Sequence, residues 1–370
     1  MPARPNDGVR ELLQANAVPG LGAVRYLRLI ERFGSWAAVQ RASDQDLLRV
    51  EGIGAVLVAA LRRPPDLDVS RELGDAEDLG IQLVPYWDER YPQGLKDLHA
   101  PPLLLYVRGM LLPQDRLALA IVGSRRSTYY GHSQAQRLAH ALAKMGFCIV
   151  SGLAHGIDAA AHRAALLAGG RTIAVLGCGL KRIYPPDHAE LATEVAAHGA
   201  LISELPLATP PRPSNFPPRN RIIAALALGT IVIEAPRRSG ALITARWAAE
   251  LNRQVYAVPG QADSPQSRGS NALLQDGAKL VLSVDDVLSE LGPVGEAVAG
   301  ILEEPVDNPR ALALNPQEKR IYSALGSQPQ SIDDIVRATN LPAAGVSATL
   351  MVLEIRGLVR QLPGKRFVRG

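Results

Sequence analysis

Residues 117–125 read LALAIVGSR, a short apolar run that ends in glycine, serine and arginine. A helical pattern follows at 131–146, GHSQAQRLAHALAKMG, and a second apolar run at 147–152, FCIVSG. The same alternation continues through the middle of the chain, which predicts βαβ units and an α/β core with a mostly parallel sheet. Uniformly apolar runs such as TIAVL at 172–176 and TIVIE at 230–234 predict strands buried on both faces.

The chain divides into four predicted segments, and three of them follow from changes in pattern. Residues 69–292 carry the α/β alternation, while residues 293–312 have little periodicity and predict a linker. Residues 313–370 contain three helical patterns and a hairpin that turns at Pro363-Gly364. This is typical of a winged-helix domain, which binds duplex DNA or mediates protein contacts, and both roles stay open.

Residues 1–68 form the fourth segment and predict a small helical domain. VPGLG at 18–22 and VEGIG at 50–54 each precede a helical pattern, as in helix-hairpin-helix units. Their glycines let the backbone approach a phosphate. The segment contains nine basic and eight acidic residues, so it lacks a strong positive field and a packing role is favoured over DNA binding.

Composition limits the class of protein. The 370 residues are 47% apolar, enough for two or three folded domains, and the net charge is only +4. Cys148 and Cys178 lie in apolar stretches and predict buried free thiols in a reducing compartment. No long apolar run follows Met1, and the run at 222–233 is too short to span a bilayer. We therefore expect a soluble cytoplasmic protein without membrane contact.

The stretch FPPRNRII at 216–223 combines an aromatic ring with two arginines. No Asp or Glu occurs from Leu205 to Ile233, which predicts a positive field beside a ring that can stack on a base. We place this stretch in a loop between two strands, where ligands commonly bind. A strand of nucleic acid suits it better than a small neutral substrate. A surface loop with merely solvated arginines is the alternative, and both remain open.

Glycines and basic residues recur where predicted strands end. IVGSR at 121–125, GCG at 177–179 with Lys181 close behind, and RRSG at 237–240 before a helix all offer amides and cations for phosphates. Several phosphate-binding loops in a row suit a polynucleotide better than one nucleotide. Because neither G-x-G-x-x-G nor G-x-x-x-x-G-K-S/T occurs, neither a dinucleotide cofactor nor P-loop chemistry is expected.

The stretch SGLAHGIDAAAH at 151–162 contains side chains of the types that bind metals. Asp is favoured at helix starts, so we interpret Asp158 as ordering a helix start and His162 as its packing or hydrogen-bonding partner. No further ligand cluster accompanies these two and His155, and no metal site is predicted. No Ser-His-Asp arrangement or carboxylate pair stands out, and no catalytic residue is predicted.

Together these motifs resemble the DNA-processing protein A (DprA/Smf) family. The matching stretches are IVGSR at 121–125, SGLAHGID with AAH at 151–162, TIAVLGCGL with IYP at 172–185, SE at 203–204, FPPRNRII at 216–223, EA at 234–235, SGALITA at 239–245, AVPG at 257–260 and GSNALLQDGA at 269–278. The resemblance implies an extended Rossmann-like core and a cofactor-free homodimer that binds single-stranded DNA without catalysis. It also implies a role in natural transformation, in which the protein protects incoming strands, displaces single-strand-binding protein and loads the RecA recombinase.

The resemblance also implies a DNA-binding site. Its predicted residues are Arg125, Gly152, Lys181, Arg212, Phe216, Arg219, Asn220, Arg221, Ser239, Gly240 and Thr244. Phe216 is expected to stack on a base while arginines and amides follow the phosphates. Lys181, Arg182 and Arg212 stand in for basic residues that some relatives have where this chain has Pro186 and Pro213. Alternatively, Arg219 or Arg221 braces the loop against carboxylates such as Glu204 or Glu234.

Two other functions stay open. Related Rossmann-like folds hydrolyse nucleotides at a glycine-rich helix start, and Ser239, Gly240 and Glu250 stand in comparable places, although the P-G-G-x-G-T-x-x-E pattern of those phosphoribohydrolases is missing. A structural adaptor that meets DNA only through its partner is the third hypothesis. Release of a base from a nucleoside monophosphate would favour the enzyme. Failure of the isolated chain to bind DNA would favour the adaptor.

Overall fold

The computed structural model describes residues 5–64, 67–292, 315–325, 330–355, 358–362 and 366–369. The chain divides into two compact units, Met1–Leu302 and Glu303–Gly370. The predicted linker at 293–312 and the predicted turn at Pro363-Gly364 lie outside the described residues. The division into four segments stays a prediction.

Helices precede the sheet in the first unit, as predicted. They are α1 (Pro5–Ala17), α2 (Ala23–Phe33), α3 (Trp36–Arg41), α4 (Asp44–Leu48), α5 (Ala55–Arg62) and α6 (Val69–Asp78). At the two predicted hairpins, Gly20 and Gly52 have φ of 82° and 81°, a left-handed conformation that favours glycine. Arg25 donates to the Gly20 carbonyl at 2.8 Å, and Arg28 to the Glu51 carbonyl at 3.1 Å. Because the hairpins engage both guanidinium groups, this geometry supports the packing role.

Nine strands form one mostly parallel sheet in the described part of the first unit. They are β1 (Ile81–Pro85), β2 (Leu104–Gly109), β3 (Ala118–Val122), β4 (Cys148–Ser151), β5 (Thr172–Val175), β6 (Ala200–Ser203), β7 (Gly229–Val232), β8 (Gln254–Ala257) and β9 (Lys279–Leu280). Their order is β1-β2-β6-β5-β4-β3-β7-β8-β9. The pairs β1–β2 and β2–β6 are antiparallel and the others are parallel.

The central strands are buried on both faces, as the apolar runs predicted. In β3, Ala118, Ala120 and Val122 belong to one hydrophobic cluster, whereas Leu119 and Ile121 belong to another on the opposite face. This alternation follows from the two-residue period of a strand. Both predicted free thiols are also buried.

Helices cover both faces of this sheet. They are α7 (Tyr129–Lys144), α8 (Ile157–Leu167), α9 (Ala189–His198), α10 (Phe216–Leu226), α11 (Gly240–Glu250), α12 (Arg268–Gln275) and α13 (Val284–Leu288). From β3 the chain builds the sheet through β4 and β5 to β6, and then returns to place β7 on the other side of β3. The strand order therefore reverses between β3 and β7, and the loops that leave these strands open a crevice at their carboxyl ends.

The second unit is a winged-helix domain. Its described elements are α14 (Pro316–Ala324), β10 (Gln330–Ser331), α15 (Ile332–Thr339), α16 (Ala343–Ile355), β11 (Val359–Leu362) and β12 (Arg366–Arg369). The strands pair in the antiparallel order β10-β12-β11. Among the described residues of the whole chain, no single helix has the length and hydropathy to cross a membrane, and α15 with most of α16 meets these criteria only jointly across a 110° bend.

Candidate nucleic-acid interface

A cavity of about 560 Å³ opens at the carboxyl ends of β3 and β7. Its charged lining residues are Arg125, Arg126, Arg219, Arg238 and Asp158. The first two arginines and Arg238 are exposed, whereas Arg219 and Asp158 are buried. The charge that a ligand meets in this cavity is therefore positive.

Phe216 is the first residue of α10, so the loop predicted for this stretch is wrong. Pro217 and Pro218 occupy the first helical turn, where an amide has no partner within the helix and proline is therefore tolerated. Ile222, one turn further on, is buried against the sheet. The helix thus fixes the start of this stretch at the cavity wall, where the half-buried Phe216 ring lies.

Charged and aromatic groups surround the Phe216 ring. The guanidinium carbons of Arg125 and Arg219 lie 5.4 and 5.8 Å from its centroid, within the range of cation–π attraction. The Tyr184 ring lies 5.7 Å away, tilted by 45°. A Cβ at Gly177 would lie 2.8 Å from Phe216 Cδ1, closer than carbon atoms pack. The ring is therefore held in one place by its neighbours.

Tyr184 was missed among the predicted site residues, although it belongs to the IYP motif at 183–185. It lines the same cavity as Phe216 and is 39% exposed. An exposed tyrosine beside a second ring is a feature of surfaces that stack bases. The signal in the sequence was an aromatic residue five positions after the glycine-rich strand end at 177–179.

Arg219 lies beneath the ring as a buried residue, 5% exposed. Its Nη1 donates to the Gly152 carbonyl at 2.8 Å and also to the Val175 carbonyl. Burial lowers the pKa of Arg219 to about 10, and the neighbouring Asp158 opposes that shift. The guanidinium therefore joins the ends of β4 and β5 while it carries a charge at neutral pH.

Asp158 orders the loop before α8, as predicted. Its carboxylate accepts from the amides of Gly152 and Ala154 at 3.2 and 3.3 Å. Burial raises the pKa of this carboxyl above its ordinary value, against the opposing effect of Arg219. Gly152 is packed so closely that a Cβ there would collide with the Arg219 guanidinium. Arg219, Asp158 and Gly152 therefore form one buried polar unit under Phe216.

The start of α11 supplies the other wall of the cavity. Ser239 is the N-cap, as predicted, and its Oγ accepts from the Ala241 amide at 3.2 Å. Asn220 donates to the Gly240 carbonyl at 3.0 Å, which ties α10 to this helix start. Ser239, Gly240 and Thr244 all line the cavity, as does Asn220. The positive end of the helix dipole therefore faces the lining arginines and favours an anion between them.

Four predicted residues are not among those that line the cavity. Arg221 forms an ion pair with Glu204 at 2.5 Å, and Lys181 forms one with Asp75 at 2.7 Å. Arg212 is exposed before α10. Gly152 lines a smaller adjoining cavity of about 30 Å³. The bracing alternative thus describes Arg221, whose guanidinium is engaged by a carboxylate.

The bracing alternative considered Glu234 as a partner of Arg219 or Arg221, but the partner found in the structure is Thr128. Glu234 accepts from the Thr128 amide at 2.8 Å and from the Thr128 hydroxyl at 2.5 Å. A Cβ at Gly131 would collide with the Glu234 carboxylate. Glu234 therefore holds the segment between Arg125 and α7 against the end of β7.

The burial of His162 predicts that folding stability depends on pH. Its Nδ1 lies 2.7 Å from the Thr172 hydroxyl, which itself donates to the Ile149 carbonyl, and burial lowers the pKa of His162 to about 3. Since the unfolded pKa is about 6.5, unfolding takes up a proton below that pH, and stability falls with falling pH. As the pH falls from 6 to 4, we expect protonation of His162 in the unfolded state to lower the free energy of unfolding by about 1 kcal/mol per pH unit.

Urea unfolding at several pH values measures this dependence, with His162→Gln as the comparison. The variant should lose that part of the slope. An identical slope in both proteins would show that another group causes the dependence.

The fold and the cavity together define an α/β protein with a basic site at its topological switch point and a separate winged-helix unit. Residues 82–292 match the family model of DNA recombination-mediator protein A, and residues 305–365 match that of the DprA winged helix domain. The chain therefore belongs to the DNA recombination-mediator protein A (DprA/Smf) family.

Three similar proteins cover between 57% and 95% of this chain. Protein Smf of Synechocystis sp. is 36% identical over 384 residues, which cover 95% of this chain and 96% of that protein. The X-ray structure of DNA processing protein A from Streptococcus pneumoniae superposes with a TM-score of 0.64 at 34% identity, covering 78% of this chain and 99% of that one. DNA processing protein A from Helicobacter pylori, whose structure concerns single-stranded DNA binding, superposes with a TM-score of 0.51 at 32% identity, covering 57% and 95%.

Proposed function

We propose that this protein is a non-catalytic mediator of recombination that binds single-stranded DNA without sequence preference. It acts in the cytoplasm as a homodimer, protects incoming strands in natural transformation, displaces single-strand-binding protein and loads RecA. Family membership and the description of the Helicobacter pylori relative support the DNA-binding part. The dimer, RecA and the cellular setting rest on the family resemblance alone.

One observation carries the proposal, namely the Phe216 ring set among cations in an open cavity. Arg125 lies over the ring, and the α11 N-terminus closes the opposite wall. A ring supplies sequence-independent stacking, while arginines and amides follow phosphates. The bases of a duplex are paired and stacked inside the helix, so this arrangement suits single strands.

Fluorescence anisotropy of a labelled oligothymidine, compared with a duplex of equal length over a salt series, tests this function. We expect tighter binding of the single strand, weakening as salt rises. Absent binding would contradict the proposal and favour the adaptor hypothesis. Duplex-preferring binding would also contradict it and would move DNA binding to a flanking domain. Mass photometry over a dilution series tests the dimer separately.

Arg125→Ala is expected to make the salt dependence of single-strand binding less steep. One lost phosphate contact changes the slope of log K against log salt by about 0.7. Arg116→Ala is the matched control, because Arg116 is also exposed but precedes β3 at the opposite edge of the sheet. Equal slopes for Arg125→Ala and the wild type would remove Arg125 from the DNA path.

The nucleotide-hydrolysis hypothesis gains no support from the site geometry. Ser239 and Gly240 line the cavity, but Glu250 is the last residue of α11 and is not among the lining residues. Ten residues of helix separate Gly240 from Glu250 by about 15 Å, at about 1.5 Å per residue. We therefore propose no catalytic residue and no cofactor.

A further inference from the structure

Two imidazoles and one carboxylate cluster beside the cavity and have no part in the function proposed above. His155 lies between β4 and α8, and Asp187 and His188 lie in the short 3₁₀ segment Pro186–His188. One potential ligand atom from each of the three lies within 4.8 Å of the others. His155 and Asp187 are exposed and His188 is buried.

The buried His188 is oriented like a metal ligand. Its Nδ1 lies 2.8 Å from the Leu153 carbonyl. A carbonyl only accepts, so in the neutral ring Nδ1 carries the hydrogen and Nε2 keeps its lone pair. Histidines that bind metals commonly donate their other ring N–H to a backbone carbonyl in this way. Leu153 has a φ of 57°, a left-handed conformation that is uncommon for residues other than glycine. The loop backbone therefore sets the position of the Leu153 carbonyl that His188 contacts.

His155 and Asp187 complete the cluster at a separation that suits a shared ion. His155 Nδ1 lies 3.6 Å from Asp187 Oδ2, longer than a good hydrogen bond. Ligands about 2.0–2.1 Å from a tetrahedral Zn²⁺ lie about 3.3 Å apart. The His155 and His188 rings are in edge contact, with centroids 4.7 Å apart. His155 and Asp187 are exposed, so their side chains have room to turn toward a shared ion.

We propose that His155, Asp187 and His188 bind a Zn²⁺ ion. Two imidazoles and one carboxylate favour a borderline transition metal over Mg²⁺ or Ca²⁺, which prefer oxygen ligands. Three protein ligands leave a coordination position for water or an anion. Both cysteines are buried, so thiols do not compete for the ion. The site does not depend on DNA binding.

This proposal departs from the expectation of no metal, which considered His155 together with Asp158 and His162. In the structure, Asp158 accepts from backbone amides and His162 bonds with Thr172, so these two side chains have other partners than a metal. His155 stays in the cluster, and Asp187 and His188 from a distant segment take the places of Asp158 and His162. The partners of His155 lie more than 30 positions away in the sequence, where local spacing gives no signal.

Calorimetric titration of Zn²⁺ into the chelator-treated full-length protein, without DNA, tests the site. We expect saturation at one ion per chain, with affinity at least about 10-fold lower in His155→Ala and in Asp187→Asn. His99→Ala, which alters an exposed histidine outside the cluster, should bind as the wild type does. Both test residues are exposed, and matching urea unfolding curves check that the variants fold.

Co²⁺ titration gives a second readout that reports the ligand set. A four-coordinate Co²⁺ ion absorbs visible light, and this absorption should be lost in His155→Ala but kept in His99→Ala. Absence of saturable Zn²⁺ binding would overturn the proposal. Equal Zn²⁺ affinity in the wild type and His155→Ala would overturn it as well.

Discussion

Arg219→Ala is expected to lower the free energy of unfolding by about 3–5 kcal/mol, the usual effect of removing one partner from a buried charged network. The substitution leaves the carbonyls of Gly152 and Val175 without their donor. It also removes the cation that favours the charged form of the buried Asp158. Urea denaturation of the full-length protein measures the loss.

Arg125→Ala is the matched control for this experiment. Arg125 is exposed and contacts the same ring, so its loss should change stability by no more than about 0.5 kcal/mol. Arg219→Lys keeps the charge but lacks the planar fork of donors, and it should recover only part of the stability. If Arg219→Ala unfolds like the wild type and only weakens DNA binding, Arg219 is a direct phosphate contact.

The central sheet could be predicted because its strands are buried on both faces. Runs such as TIVIE at 230–234 are uniformly apolar, and helical patterns separate them. The strands β1 and β2 were missed, since only two residues of β1 are buried, three positions apart, and two prolines precede β2. β1 pairs antiparallel with β2, and β2 pairs antiparallel with β6, so both lie outside the βαβ repeat that carried the prediction.

The candidate site was only partly predictable, for a physical reason. The sequence indicates which side chains are chemically suited to DNA, and Arg125, Phe216 and Ser239 do line one cavity. It does not indicate which arginines find buried partners. The carbonyls that bind Arg219 and the carboxylate that binds Arg221 come from strand ends distant in the chain.

Phe216→Ala is expected to weaken single-strand binding by about 1–3 kcal/mol, the loss of one stacked base. This corresponds to a roughly 5- to 150-fold higher Kd. No charge is removed, so plots of log K against log salt for variant and wild type should be parallel. Trp87→Ala is the control, because Trp87 is 52% exposed and is not among the residues that line the cavity.

Gly177→Ala tests whether DNA binding needs the Phe216 ring in its present position or only needs the ring to be there. A Cβ at Gly177 would lie 2.8 Å from Phe216 Cδ1 and 3.1 Å from Cε1, so the ring must shift while Arg125 stays in place. We expect part of the Phe216→Ala loss, again with an unchanged salt slope. If Gly177→Ala binds like the wild type while Phe216→Ala does not, the ring stacks without needing a fixed position. If neither variant loses affinity, Phe216 does not stack on DNA, and the arginines and the α11 N-terminus account for binding.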